Sequence, residues 1–405
     1  MTRSAASSLP LMQPQSLGLS DLAPRVLQSE IREMTMECDR LGGVNLAQGV
    51  CDTEPPAAVT EGAKRAIDAG ENIYTRLDGI GRLRAGIAAK MERFQGVSVD
   101  PEREVLVASG ATGAFHAAVM ALLNPGDEVI LFEPFYGYHV STLSSLRMKA
   151  VPVALTAPEG PGADWTLDMD ALRAAITPRT RAVLMNTPSN PAGKIFALAE
   201  IEGVGELAER HGLFLFTDEI YEHFVYGGAR HVSPFSLPHL RERTIVMSGF
   251  SKTFSVTGWR LGYLVADAKW LGSIAYFHDL TYVCAPSALQ HGAADGLEQL
   301  GPEFYTTLAA DHERKRARMV SALRDAGMYP YTPAGAYYVL ADASDLAGAT
   351  AAEKARNLLA RTGVASVAGS AFFRAGLGEN LLRFCFAKKD ADLADACERL
   401  RGLRG

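Results

Sequence analysis

Between Asp100 and Asp267 the chain alternates short, unbroken apolar runs with longer amphipathic stretches, a pattern that few folds accept. The runs are Glu104–Ala108, Glu128–Phe132, Ala150–Ala154, Ala182–Met185, Leu213–Phe216, Thr244–Met247 and Leu261–Val265. They are too short for helices and lack the polar alternation of a strand with one wet face. Each therefore predicts a strand buried on both faces. Helical stretches such as Thr112–Leu123 and Leu198–His211 lie between them. Strand–helix alternation of this kind predicts an α/β fold with a mainly parallel, seven-stranded sheet covered by helices.

The remainder of the 405 residues exceeds what one ordinary core holds. The chain up to about Leu41 predicts a flexible tail and then one helix. Pro302–Ala326 reads as a long amphipathic helix leading into a smaller α+β unit that runs to the C-terminus. The formal charge of -6, from 40 Lys+Arg and 46 Asp+Glu, argues against nucleic acid, which wants a basic face. No apolar run approaches the roughly 20 residues of a membrane span. Met1–Gln15 is polar and dotted with proline, which predicts no signal peptide. The cysteines, Cys38, Cys51, Cys284, Cys385 and Cys397, are odd in number and scattered. They predict a reducing, cytoplasmic setting with neither a disulfide frame nor a metal site.

In open α/β sheets, ligands sit beyond the carboxyl ends of the strands, so the residues after each run carry the functional signal. After the first comes Ser109-Gly110-Ala111-Thr112-Gly113, whose small residues and following helix suit a phosphate, although an ordinary strand–helix turn looks the same. After the second comes Glu133-Pro134-Phe135-Tyr136-Gly137-Tyr138, where an aromatic can stack on a flat ring or simply close the core. The fourth is followed by Asn186-Thr187-Pro188-Ser189-Asn190-Pro191, a stiff loop able to aim the Asn190 amide. The fifth is followed by Thr217-Asp218-Glu219-Ile220-Tyr221. There an Asp can pair with a pyridinium N–H, or merely cap the next helix. The sixth leads into Ser251-Lys252-Thr253-Phe254-Ser255-Val256-Thr257-Gly258-Trp259-Arg260. A lysine among small, hydroxyl and aromatic residues, near a cation such as Arg260, favours a neutral amine able to form a Schiff base.

Together these segments resemble the class I/II aminotransferases, the fold-type-I group of pyridoxal-phosphate enzymes. The resemblance runs from about Leu41 to Leu400, and the kynurenine aminotransferase/glutamine transaminase K type looks nearest. It rests on Asn186–Phe196 (NTPSNPAGKIF), Thr217–Tyr226 (TDEIYEHFVY), Ser251–Arg260 (SKTFSVTGWR) and Arg383–Ala387 (RFCFA). It implies an N-terminal arm and part of a small domain in 1–60, a large cofactor-binding domain in 61–300 and a small C-terminal domain in 301–405. It further implies that Lys252 carries pyridoxal 5'-phosphate and shuttles the substrate α-proton, that Asp218 pairs with the ring nitrogen, and that Tyr221 and Asn190 bind the ring 3-oxygen. Tyr136 would stack on the ring, while Ala111, Thr112, Ser251 and Arg260 would hold the phosphate. Tyr74 would reach the phosphate of a neighbouring subunit, which requires a homodimer. Arg383, with Asn190 and the backbone at Gly49, would grip the α-carboxylate. Gly249 stands where some members have a phosphate-binding serine, leaving Ser248 and Ser251 as the nearby hydroxyls.

The activity so implied is ping-pong transfer of an amino group from an L-amino acid to a 2-oxo acid. β-Elimination from cysteine conjugates shares the same residues and stays open. No Gly-x-Gly-x-x-Gly follows the first strand, which argues against a nucleotide-dependent oxidoreductase. A cofactor-binding regulator would need a DNA-binding domain, for which the N-terminal tail has no room. Arg383 is the one evident carboxylate grip, which points to neutral or aromatic donors. Arg76 is the candidate second grip, for an aspartate-like substrate, or else part of a surface ion pair.

Overall fold

The computed structural model describes residues 18–23, 30–160 and 163–404. Most of the expected N-terminal tail lies outside these residues; the helix expected to follow it spans Glu30–Leu41. A two-residue strand, β1 (Val44–Asn45), precedes the main sheet. The sheet itself is built from β2 (Val105–Ala108), β3 (Glu128–Glu133), β4 (Lys149–Thr156), β5 (Thr166–Leu167), β6 (Thr180–Asn186), β7 (Phe214–Asp218), β8 (Thr244–Gly249) and β9 (Gly262–Val265). Seven of these eight are the apolar runs picked out above. The eighth, β5, is an edge strand of two residues, too short to leave a periodic signal.

The strand order is β2-β9-β8-β7-β6-β3-β4-β5. The four central pairs from β8 to β4 are parallel, while β9 runs against both its neighbours and β5 against β4. Strands β2, β3, β7, β8 and β9 expose almost nothing along their length, as strands covered on both faces must. One cover is the apolar Gly110–Leu122 helix together with Ala268–Tyr282. The opposite face packs Val183, Met185 and Leu215 against the Leu198–His211 helix.

The 24-residue helix Pro302–Asp325, with its proline in the first turn, leads to a second sheet. Its strands are β10 (Tyr329–Tyr331), β11 (Tyr338–Asp342), β13 (Val367–Ala368) and β14 (Leu381–Cys385), in the antiparallel order β10-β11-β14-β13. The remaining strand, β12 (Val364–Ala365), pairs in parallel with β1, so residues near 45 join the C-terminal part of the fold. No described helix is long and apolar enough to cross a membrane.

Candidate active site

Because β9 runs against β2 and β8, the carboxyl ends of β2, β3, β6, β7 and β8 all open at one edge. Lys252 lies in the turn after β8. Its Nζ donates to the Gly49 carbonyl at 3.1 Å, and the Tyr337 hydroxyl donates to the same oxygen at 3.2 Å. Burial pushes the Lys252 amine down to about 8, and the Arg260 charge acts in the same direction. A group depressed in this way destabilises the fold while it is protonated. The cost is full below about 8 and fades as pH rises toward the ordinary lysine value. Cofactor-free Lys252→Ala is therefore expected to melt above the cofactor-free parent at pH 7, with the gap narrowing between pH 8 and about 10.5. A pH series of thermal melts checks this, and a gap that widens with pH would contradict it.

Asp218 ends β7, opposite Asn186 of β6. One carboxylate oxygen lies 3.0 Å from His139 Nε2, and the Ile220 N–H donates to the other at 3.3 Å. His139 carries no motif of its own in the sequence. It sits in the Gly137–Ser145 helix, one turn beyond Tyr136, and that spacing from an aromatic candidate is the signal that marks it. The Tyr136 ring meets the His139 ring edge-on at 5.2 Å and stacks on Tyr138 at 5.3 Å. Tyr221 is buried, and its hydroxyl lies 2.9 Å from that of Tyr338, so burial holds its phenol well above the usual range.

At the other end of the pocket the Gly110–Leu122 helix begins without a side-chain cap. Gly110 has φ +74°, and a Cβ there would stand 2.7 Å from Arg260 Nη2; one on Gly262 would stand 2.5 Å from the Ala111 nitrogen. Only glycines permit this close approach of helix start, β9 and guanidinium. The result is a cradle of backbone N–H groups at Ala111 and Thr112 beneath a cation. That is the donor set a phosphate requires. Ser251 is buried nearby and makes no side-chain hydrogen bond among the described residues. The Ser248 hydroxyl lies 2.8 Å from Glu222 Oε1, turned toward a buried carboxylate and away from the cradle.

Arg383, in β14, is 1% exposed. Its Nη1 donates to Asn190 Oδ1 at 2.9 Å and its Nη2 to the Ala47 carbonyl at 2.6 Å. The guanidinium lies between the rings of Tyr338 at 4.4 Å and Phe372 at 4.8 Å, and its Nε has no hydrogen-bond partner among the described residues. A buried cation met only by neutral acceptors is costly until an anion arrives, and a carboxylate suits its planar fork. Arg76 is differently placed. It binds Asp78 at 2.6 Å and Glu102 at 2.9 Å, an ion-pair set of its own. Tyr74 is 78% exposed.

The phosphate cradle, the depressed lysine, the carboxylate at the strand end and the stacking tyrosine together fit pyridoxal phosphate. The chain belongs to the family described as aminotransferase class I and II, whose profile matches residues 42–400; it is a pyridoxal-phosphate-dependent transaminase of fold type I. It is 36% identical to a protein of Mycobacterium tuberculosis named probable N-succinyldiaminopimelate aminotransferase, over 92% of this chain and 95% of that one. The solved structure of N-succinyldiaminopimelate aminotransferase from that organism superposes with a TM-score of 0.91 at 34% identity, over 95% of this chain and all of the other. The methionine aminotransferase of Escherichia coli is 32% identical over 94% and 97% of the two chains. Kynurenine–oxoglutarate transaminase 3 of Mus musculus is 33% identical over 88% and 84%. The kynurenine type is thus one relative among several, and the family as a whole is what the chain shares.

Proposed function

We propose that the chain transfers an amino group from a neutral or aromatic L-amino acid to a 2-oxo acid, with Lys252 as both cofactor anchor and proton carrier. The observation that carries the substrate reading is the contrast between two arginines. Arg383 is buried with an unpartnered Nε, whereas Arg76 is already committed to Asp78 and Glu102. A guanidinium without a carboxylate partner suits one substrate carboxylate, and the rings of Tyr136, Tyr138, Tyr338 and Phe372 suit an apolar side chain.

Bound pyridoxal phosphate supplies a carbonyl that condenses with amines and a ring that takes up charge from the substrate α-carbon. The residues of the chain do the rest. Ala111, Thr112, Ser251 and Arg260 hold the phosphate. Asp218, fixed by His139, accepts the ring N–H and keeps that proton in place. Tyr136 covers one ring face, and Tyr221 with Asn190 donates to the 3-oxygen. Arg383 and Asn190, helped by the backbone at Gly49, orient the α-carboxylate. Lys252 Nζ, once released from the cofactor, would take the substrate α-proton and hold it for return to the bound cofactor. The donor product leaves before the acceptor enters, giving ping-pong kinetics.

Two further readings follow from exposure and pairing. Tyr74 and Ile73, both 78% exposed, with Tyr276 at 57% and Leu280 at 63%, support a homodimer in which Tyr74 reaches the partner's phosphate. An active monomer in sedimentation would contradict that. The β1–β12 pairing supports a small unit made of the segment up to about residue 60 and residues 301–405, set against a cofactor-binding unit of 61–300. A cytoplasmic enzyme remains our expectation.

The name of the Mycobacterium tuberculosis relative favours a second donor, N-succinyldiaminopimelate, within the same pocket. A donor screen that follows loss of the cofactor's visible band in single turnovers tests both. Phenylalanine, methionine or kynurenine should exceed aspartate in kcat/KM by tenfold or more. If aspartate is the best donor and Arg76→Ala selectively removes that activity, Arg76 is a second grip and our reading fails. If only the succinylated donor turns over, the second reading replaces the first. Pyruvate and thiol released from a cysteine conjugate without an acceptor would mark a β-lyase.

A further inference from the structure

Tyr338 opens β11, directly after Tyr337, and it touches three parts of the site at once. Its hydroxyl lies 2.9 Å from the Tyr221 hydroxyl. Its ring carries the Arg383 guanidinium on one face, 4.4 Å from the centroid. A Cβ added to Gly49 would overlap its hydroxyl oxygen, so the segment that accepts from Lys252 is moulded around it. The sheet register explains this reach. Tyr338 pairs with Cys385 and Leu340 with Arg383, which puts Tyr338 and Arg383 on one face as diagonal neighbours.

We propose that Tyr338 is a positioning residue for the transamination: its hydroxyl donates to the Tyr221 oxygen and leaves the single Tyr221 proton free to point at the cofactor's 3-oxygen. This rests on the role given to Tyr221 above. Each phenol has one proton, and between two facing hydroxyls only one proton occupies the shared bond. The Tyr338 oxygen is walled in by Gly49, so its proton has the Tyr221 oxygen as its outlet. The Tyr221 proton then remains for the pocket, and a phenol that accepts a hydrogen bond donates a stronger one. The adjacent Arg383 charge makes Tyr338 the better donor. Tyr337 also adjoins the Tyr338 hydroxyl, but its own proton goes to the Gly49 carbonyl, so it does not compete for the Tyr221 oxygen.

The consequence is measurable in the visible band of the loaded enzyme, whose pH midpoint reports the proton on the Lys252 nitrogen. In the protonated state that proton already shares the 3-oxygen. In the deprotonated state the Tyr221 O–H is the donor left, so it favours that state and holds the midpoint down. The titratable and charged groups facing this network are Tyr136 and Asp218 beside Tyr221, Arg383, Cys385 and Tyr337 beside Tyr338, and Cys51, Cys385, Arg260 and Asp218 around Lys252. All of them persist in the variants, so a shift belongs to the two hydroxyls.

The experiment is a spectrophotometric pH titration of holoenzyme for the parent, Tyr221→Phe, Tyr338→Phe and the double variant. Tyr221→Phe should raise the midpoint by about 1–2 pH units. Tyr338→Phe should raise it by roughly a third of that. The double variant should sit where Tyr221→Phe alone does, because Tyr338 acts through Tyr221. In Tyr338→Phe kcat should fall while the donor KM changes less than twofold, since the ring under Arg383 is kept. A Tyr338→Phe midpoint equal to the parent's, with Tyr221→Phe shifted, overturns this proposal and leaves the role of Tyr221 intact. Additive shifts in the double variant also overturn it. If neither single variant moves the midpoint, the role of Tyr221 itself falls, and the proposal with it.

Discussion

Replacing Lys252 with alanine is expected to lower kcat by at least about 10⁴-fold while leaving the protein folded and able to bind pyridoxal phosphate. A positioned general base contributes about 10²–10⁴-fold by itself, and loss of the anchoring amine adds to that. Cofactor binding should survive because the other contacts come from elsewhere: the helix start at Ala111 and Thr112, Arg260, and Asp218 held by His139. Removing a depressed amine also relieves the fold of a cost below pH 8, so the variant should be at least as stable as the parent. Equilibrium dialysis with pyridoxal phosphate and single-turnover kinetics separate the two effects. A variant that still turns over at a tenth of the parent rate would exclude Lys252 as the proton carrier.

The second large effect is expected at Arg383. Arg383→Lys should raise the KM of every amino donor by about 30-fold or more, by a similar factor for each, because all donors share the α-carboxylate. Removing one partner of a desolvated charge pair costs about 2–5 kcal/mol, which corresponds to about 30- to 5,000-fold. Lysine is a poor substitute, since an ammonium cannot reproduce the flat fork that binds Asn190 and Ala47 while leaving N–H groups for a ligand. It also loses the stacking between Tyr338 and Phe372. Steady-state kinetics with three chemically different donors measure this. An effect confined to one donor class would mean that Arg383 reads the side chain instead.

What was legible in the sequence follows from where the physics is local. A strand buried on both faces must be an apolar run, so all seven long strands of the main sheet stand out from Glu104 to Val265. Their orientations do not: β9 is antiparallel, and nothing in Gly-Tyr-Leu-Val announces it. The two-residue strands β1, β5, β12 and β13 are set by the partners they meet and leave no period to read. The site divides in the same way. Asp218, Lys252 and Asn190 sit at strand ends, where a polar residue after an apolar run is conspicuous. His139 reaches Asp218 across 79 positions from a helix, and Tyr338 reaches Tyr221 across 117. A histidine in a helix and a tyrosine in a strand have ordinary structural uses, so neither carries a motif, and only the spacing of His139 from Tyr136 hints at the first. The helix expected at Thr112–Leu123 begins two residues earlier, at Gly110, because positive φ at that glycine turns the chain directly from β2 into the cradle.

The measurement that bears most directly on the account is borohydride reduction of the purified holoenzyme, followed by peptide mapping. A linkage between the cofactor and a lysine becomes a stable secondary amine on reduction, and the labelled residue can then be located by mass. The account predicts a single pyridoxyl group on Lys252, in the segment Ser251–Arg260, with an amino donor added beforehand abolishing the label. A pyridoxyl group on another lysine, or full activity with none on Lys252, would contradict it.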